Sequence, residues 1–271
     1  NIVFIGRSHA FEDGRSPAHE ERLVRVLGVE FHALMTGRQG PSMWKFPFGF
    51  FQSFFLLASC RPTAVLSFGG YIALPVAIAA WVLSIPIVTH EQTEDLGLAN
   101  KIIARFARRV ITARESGVPI RRGLFSPPKH PTFPVDTKFP LIYITGGSTG
   151  AKSLNGFVYP NIEELTRQYC IIHQVGILGM AEASRVKDVL PKVLKSRYIV
   201  VPYIDTSDVA WIYHHAILVI GRAGANTVAE VAALGLPALF IPLPWAAGPS
   251  ISPVRRSSRL TSRESFSPGY R

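Results

Sequence analysis

Cysteine is almost missing from this chain: Cys60 and Cys170 are the only two in 271 residues. They stand far apart, at neither a metal-ligand nor a redox spacing, which suits a reducing compartment. No Cys/His cluster is present, and neither is an Asp-x-Asp pair. A metal-dependent sugar transferase of the carboxylate-pair type is therefore disfavoured. The sequence lacks a Walker A loop, because Lys152 falls outside the G-x-x-x-x-G-K-[ST] register, and it lacks the dinucleotide fingerprint. Long apolar runs are also missing. The nearest, Met43–Cys60, is interrupted by Pro47, Gly49 and Gln52 and is too short to span a bilayer. It predicts a buried helix with a wide apolar face, with a surface touching lipid headgroups as the other reading.

Acidic residues are scarce, 18 against 29 Lys and Arg, for a net charge of +11. Of that charge, +4 lies in Pro249–Arg271, which holds five Arg and one Glu. Such a balance suits nucleic acid, anionic lipid or a phosphorylated substrate. No RNA-binding aromatic signature and no helix-turn-helix spacing is present, so nucleic acid is the weakest of the three.

Short apolar runs dominate what is there. They occur at Ile2–Ile5, Ala64–Phe68, Pro86–Thr89, Val110–Thr112, Leu141–Thr145, Cys170–Val175, Tyr198–Val201, Ile217–Ile220 and Ala238–Ile241. Several are β-branched and continuous, as strands covered on both faces should be. Helical stretches alternate with them at Ala73–Leu83, Leu96–Phe106, Leu154–Arg167, Ala181–Val189, Asp208–His214 and Thr227–Leu234. That alternation predicts parallel βαβ units in a doubly wound α/β architecture. The Pro-rich stretch "LFSPPKHPTFPVDTKFP" carries no apolar period and is expected to be a linker. The chain then divides into residues 1–123, a linker at 124–138, a second α/β domain at 139–247 and a Ser/Arg-rich tail at 248–271.

Three stretches carry candidate chemistry. In "LIYITGGSTGAKSLN" a strand runs into Gly146, Gly147, Ser148, Thr149 and Gly150 and then a helix, an arrangement that suits a diphosphate. A tight βα connection is an equal alternative. In "VIGRAGANTVAEVAALGLPALFIP" a helix begins near Ala225, with Asn226 or Thr227 as the expected cap. Glu230 follows, where a carboxylate could accept both hydroxyls of a ribose; spacing alone favours a dipole-complementing role instead. In the first half, Gly69 and Gly70 precede a helix, and the next strand delivers His90, Glu91 and Gln92. A His beside a Glu at such an edge is an acid/base or recognition candidate; satisfaction of loop backbone groups is the commoner outcome.

The blocks "FGGYIALPVAIAAWVLSIPIVTHEQ", "GVPIRR", "TGGSTGAKSLN", "HQVG" and "PYIDTSDVAWIYHHAILVIGRAGANTVAEVAALGLPALFIPLP" resemble successive blocks of the MurG family, in that family's order from about Ile2 to Ala247. The resemblance implies a GT-B fold: two Rossmann-like parallel α/β domains facing across a cleft, both incomplete here. It implies an inverting, metal-independent transferase that moves N-acetylglucosamine from UDP-GlcNAc to the muramyl 4-hydroxyl of undecaprenyl-linked lipid I, giving lipid II for peptidoglycan. It also implies a peripheral protein on the cytoplasmic face of the bacterial plasma membrane, held to an anionic surface and not to nucleic acid. By resemblance Glu230 is the ribose-binding glutamate, Ser148 faces the donor diphosphate, and the backbone at Ile204 meets the uracil edge. Ala225, Asn226 and Thr227 line the turn beside the nucleotide, and Arg121 faces the donor. Gly69, Gly70 and Tyr71 form the acceptor-side glycine loop. His90 and Glu91 are the catalytic candidates on the acceptor side, where a base accepts the proton of the attacking hydroxyl.

The chain departs from that family in places. By the resemblance it is expected to open one βα unit late. Thr93 stands where the family has an Asn in contact with the transferred sugar. A Gln pair and Asn-Ala expected after "PLPWAA" are replaced by seven Ser and five Arg in Pro249–Arg271. The expectation is a truncated chain read out of frame after about Ala247, with a natural disordered basic tail as the alternative. Competing readings are another GT-B activity, such as an epimerase or a glycolipid synthase, and a UDP-sugar-binding module or inactive fragment. The "HEQ" and "GGSTGA" blocks argue against the former. The missing opening loop and Gln pair favour the latter.

Overall fold

A computed structural model describes residues 2–7, 19–35, 45–93, 96–146 and 152–241. Every strand pairing among them is parallel, in three sheets. The first half contributes β1 (Val3–Gly6), α1 (His19–Val26), β2 (Glu30–Ala33), α2 (Phe46–Cys60), β3 (Val65–Ser67), α3 (Ala73–Val82), β4 (Ile87–Glu91), α4 (Leu98–Ile103), β5 (Arg109–Thr112) and α5 (Ala113–Ser116). β1 pairs with β2, and β3-β4-β5 form a second sheet. Their core is built from Leu57, Val76, Ala77, Ala79, Ala80, Ile87 and Ile103. Alanines on α3 let that helix lie close against its neighbours, which is why a stretch without charge forms a buried helix here.

The second half contributes β6 (Leu141–Thr145), α6 (Lys152–Val158), α7 (Ile162–Gln168), β7 (Cys170–Gln174), α8 (Met180–Val189), α9 (Lys192–Lys195), β8 (Tyr198–Val201), α10 (Thr206–His215), β9 (Ala216–Arg222), α11 (Ala225–Ala233) and β10 (Ala238–Ile241). The sheet order is β10-β9-β6-β7-β8. All residues of β6 and β7 are buried, as expected for inner strands covered on both faces. Successive side chains point to opposite faces: Leu141, Tyr143, Cys170 and Ile172 join one core with Trp211 and Val219, while Ile142, Ile144 and Ile171 join another with Leu154 and Ile162.

Several expectations need correction. The helix expected over Leu154–Arg167 is broken by a 3-10 turn at Tyr159–Asn161, where Pro160 removes a helical donor. The cap of α11 is Gly224, in extended conformation, and no side chain caps that helix, so neither Asn226 nor Thr227 does so. β2 is a strand that the apolar runs did not mark; only Phe31 of its residues is buried. The helix expected to bury a wide apolar face, α2, instead leaves Phe48, Phe51 and Phe55 exposed. No helix among the described residues is long and apolar enough to cross a membrane.

The Pro-rich segment carries only a 3-10 turn, Arg122–Phe125, yet it is not loose. Leu124 is fully buried in the second half's core, with Phe133 and Val135 packed against it. His214 Nε2 lies 2.8 Å from the Leu124 carbonyl, and Asp208 accepts from Thr132 N at 2.9 Å and from the Thr132 hydroxyl. Residues expected to link the halves are therefore a strap on the second one. The residues expected as a tail, with the rest of 242–271, lie outside the described residues.

His173 on β7 is fully buried. Its Nε2 lies 3.2 Å from Asn155 Oδ1 and its Nδ1 3.0 Å from Tyr198 Oη. Asn155 in turn donates to Val175 O at 3.2 Å, so the imidazole fixes α6 against β7. An amide oxygen only accepts, so Nε2 carries the proton and Nδ1 accepts from the tyrosine. Burial pushes this histidine down from 6.5 to about 4. The unfolded chain then binds the extra proton first, so stability is full above pH 6.5 and falls as pH drops toward about 4. A urea midpoint measured across that window is expected to fall in the parent and to stay flatter in His173→Gln.

Candidate functional site

Ligands of open parallel sheets bind beyond the carboxyl ends of the strands, and both halves concentrate polar groups there. In the second half, β6 ends at Thr145 and Gly146 follows it; Gly147, Ser148 and Gly150 lie outside the described residues. β9 ends at Arg222, whose guanidinium reaches Ser153 Oγ on α6 and, at 3.4 Å, Ile241 O at the end of β10. α11 follows directly, and among the described residues no side chain caps its start. Ala225 and Thr227 are half-buried at its start. Such an uncapped helix start offers N–H donors and a positive dipole end to an anion.

Glu230, on the inner face of α11, is the most informative side chain. It is buried, and Arg121 grips it in a fork: Nε donates to Oε1 at 2.9 Å and Nη2 to Oε2 at 3.0 Å. Arg121 Nη1 also donates to Thr206 Oγ1 at 3.2 Å, where α10 begins. Tyr213 Oη lies 3.4 Å from Glu230 Oε2. Burial, with the neighbouring Tyr143 and Glu230, holds the Tyr213 phenol well above its ordinary range, so it remains a donor. Oε1 keeps a lone pair for another hydroxyl, whereas Oε2 is shared by Arg121 and Tyr213. On Arg121, each Nη retains a hydrogen for an anion. Ile204 lies two positions before Thr206, with its side chain buried in the core beside Trp211. The structure thus joins Arg121 and Glu230 directly, with Ile204 just before α10 and Ala225 and Thr227 at the start of the helix that carries Glu230.

In the first half the polar groups organise loops. Gly69 and Gly70 both have positive φ, +76° and +79°. A Cβ at Gly69 would lie 2.5 Å from Asn100 Nδ2, so glycine is required for fit as well as for conformation. Asn100 links the strand ends: its Oδ1 accepts from Thr89 Oγ1 at 2.9 Å and its Nδ2 donates to Glu91 Oε2 at 2.9 Å. Glu91 also accepts from Gly97 N at 3.0 Å and from the Thr93 hydroxyl at 3.0 Å. Burial would raise this carboxyl, but the bonds from Gly97, Asn100 and Thr93 outweigh it and hold Glu91 below its ordinary value. Tyr71 Oη accepts from Arg7 Nη1 at 2.9 Å. His90 is buried inside β4, with Nε2 turned to Ser116 and Gly117 and Nδ1 buried without a partner.

The expectation that His90 or Glu91 receives a proton from an attacking hydroxyl does not match this geometry. His90 has no nitrogen turned outward, and the Glu91 oxygens are filled by their own loop. Asn100 and Arg7 were missed, because nothing in local spacing marks an Asn in a short helix or an Arg after a strand. Among the described residues no group of three or more His, Cys, Asp or Glu could hold a metal ion.

Residues 2–112 match the glycosyltransferase family 28 N-terminal domain and residues 141–249 the family's C-terminal domain. A Tolumonas auensis protein named UDP-N-acetylglucosamine--N-acetylmuramyl-(pentapeptide) pyrophosphoryl-undecaprenol N-acetylglucosamine transferase is 35% identical over 260 residues, 91% of this chain and 71% of the relative. A Treponema denticola protein of the same name is 32% identical over 223 residues, 74% of this chain and 57% of the relative. The chain thus spans between 57% and 71% of the length of these two relatives. The crystal structure of Acinetobacter baumannii MurG superimposes with a TM-score of 0.59 at 28% identity, covering 91% of this chain and 72% of that one.

Proposed function

This chain belongs to glycosyltransferase family 28, to the MurG group within it, and on that premise we propose that it transfers N-acetylglucosamine from UDP-GlcNAc to the 4-hydroxyl of the muramyl sugar of lipid I. The observation that carries the reading is the buried Glu230 carboxylate, forked by Arg121 beside the uncapped start of α11. A carboxylate so held offers Oε1 to one hydroxyl of a ribose. The remaining Arg121 hydrogens and the α11 N–H groups suit a diphosphate whose charge grows as the sugar leaves. The acceptor hydroxyl attacks the anomeric carbon, its proton passes to water, the bond to the diphosphate breaks with its electron pair leaving on UDP, and the configuration inverts. The Gly69–Tyr71 loop and the Glu91 loop form the acceptor side. No resident cofactor is needed for this sequence of steps.

The test is transfer of labelled N-acetylglucosamine from UDP-GlcNAc to a lipid I analogue, with labelled lipid product expected. Donor binding without product favours a second reading, a UDP-sugar-binding module. One observation supports that alternative: the Thr93 hydroxyl, at a position where the family has an Asn, donates to Glu91 Oε1 at 3.0 Å.

The acceptor is lipid-linked, and we propose that the chain works peripherally at the cytoplasmic face of the membrane. Supporting this are the exposed Phe48, Phe51 and Phe55 on α2, with Trp81 and Val82 exposed on α3. Exposed Lys101, Arg105 and Arg108 lie on and after α4, the helix that packs beside α3. Apolar side chains would enter the headgroup region while the cations meet anionic lipid. Replacing Phe51 and Phe55 by serine is expected to lower co-sedimentation with phosphatidylglycerol vesicles by about tenfold per side chain. High salt should weaken binding by both proteins. Equal binding by parent and variant contradicts the proposal.

A further inference from the structure

Arg121 is fastened to the second half, while the chain only four residues earlier is fastened to the first. His90 Nε2 lies 3.3 Å from the Gly117 carbonyl and 3.2 Å from Ser116 Oγ. A carbonyl only accepts, so Nε2 carries the proton and donates to it. The tilted Phe68 ring, 6.0 Å from the imidazole, packs beside it. Gly117 has φ +72° and ψ −176°, a region only glycine occupies readily, and it turns the chain sharply at the end of α5. Beyond it stand Val118, Pro119 and Ile120, and proline keeps Val118 extended. Then Arg121 meets Glu230 and Thr206, and Leu124 enters the core. Two clamps therefore hold a short, stiff joint between them.

We propose that His90 is a positioning residue that, through Gly117, sets the direction in which the chain leaves the first half. It thereby sets where Arg121 and the nucleotide-binding carboxylate stand relative to the Gly69–Tyr71 and Glu91 loops. The inference rests on the transferase reading only for its catalytic consequence. His90 need not touch substrate for this, and neither of its nitrogens is placed to do so.

The test uses the full chain with spin labels on the native, exposed Cys60 and on Cys introduced by Val193→Cys on α9; Cys170 is buried and stays unlabelled. In His90→Leu, which removes the donor, the distance distribution between the labels is expected to broaden. In His90→Gln, whose amide can donate to the same carbonyl, it should return toward the parent. In the transfer assay, His90→Leu should lower kcat by about tenfold with the KM for UDP-GlcNAc changed by less than about threefold, and His90→Gln should recover most of the rate. A folded His90→Leu with the parent's distribution overturns the proposal. So does a His90→Gln that is as inactive as His90→Leu, which would mark a proton acceptor. Gly117→Ala supplies a second route if His90→Leu does not fold. Nothing lies within 4 Å of the added Cβ, so only the joint's conformation is penalised, and an unchanged distribution again overturns the idea. The distance measurement needs no substrate, so its failure is distinct from failure of the transferase reading, which a parent that gives no labelled lipid product would reveal.

Discussion

Glu230→Ala is expected to weaken UDP binding by about 30-fold, the loss of a hydrogen bond from a ribose hydroxyl to a charged acceptor. The fold should tolerate the change. Arg121 loses its partner, but its side chain is 40% exposed and remains hydrated. Glu230→Gln keeps the shape and one accepting oxygen, and should lose about tenfold. Titration calorimetry with UDP measures both variants. Parent-like affinity in Glu230→Ala would show that the carboxylate serves only α11 and Arg121.

The reverse substitution has the opposite character. Arg121→Met should lower folding stability by about 3 kcal/mol, because it strands a carboxylate. The Glu230 side chain is only 8% exposed, and the Tyr213 hydroxyl at 3.4 Å is a weak substitute for the guanidinium fork. Adding Glu230→Gln to Arg121→Met removes the stranded charge and should restore more than half of the lost stability. Urea midpoints of parent, single and double variants decide this. A loss below about 1 kcal/mol in Arg121→Met would mean that solvent screens the pair as it does at a surface. The two substitutions thus separate binding from folding: one side of the pair chiefly matters for the ligand, the other chiefly for the protein.

Much of the second half was legible in the sequence. β6, β8 and β10 coincide with the apolar runs Leu141–Thr145, Tyr198–Val201 and Ala238–Ile241, and β6, buried along its whole length, needs no polar alternation. β2 was not legible, because Glu30 and His32 flank its single buried residue. Expected positions Arg121 and Glu230 do converge, but their pairing across 109 residues leaves no mark in local spacing. Spacing alone favoured a dipole role for Glu230, and resemblance alone gave Arg121 to the donor. Only the fold puts the guanidinium on the carboxylate. Likewise the side chain of His90 is aimed by the pleat of β4, which turns it toward Gly117 and not outward; a run of adjacent polar residues conceals that alternation. The Pro-rich strap misled for a different reason. Its lack of period is real, but Leu124, Phe133 and Val135 dock singly, and isolated apolar residues carry no periodic signal.

The central claim, that Glu230 anchors a donor ribose, is tested most directly by comparing UDP with 2′-deoxy-UDP on the parent and on Glu230→Ala. In the parent, loss of the 2′-hydroxyl should weaken binding by about tenfold; in Glu230→Ala the two nucleotides should bind alike. An equal penalty for the deoxy nucleotide in both proteins would contradict it.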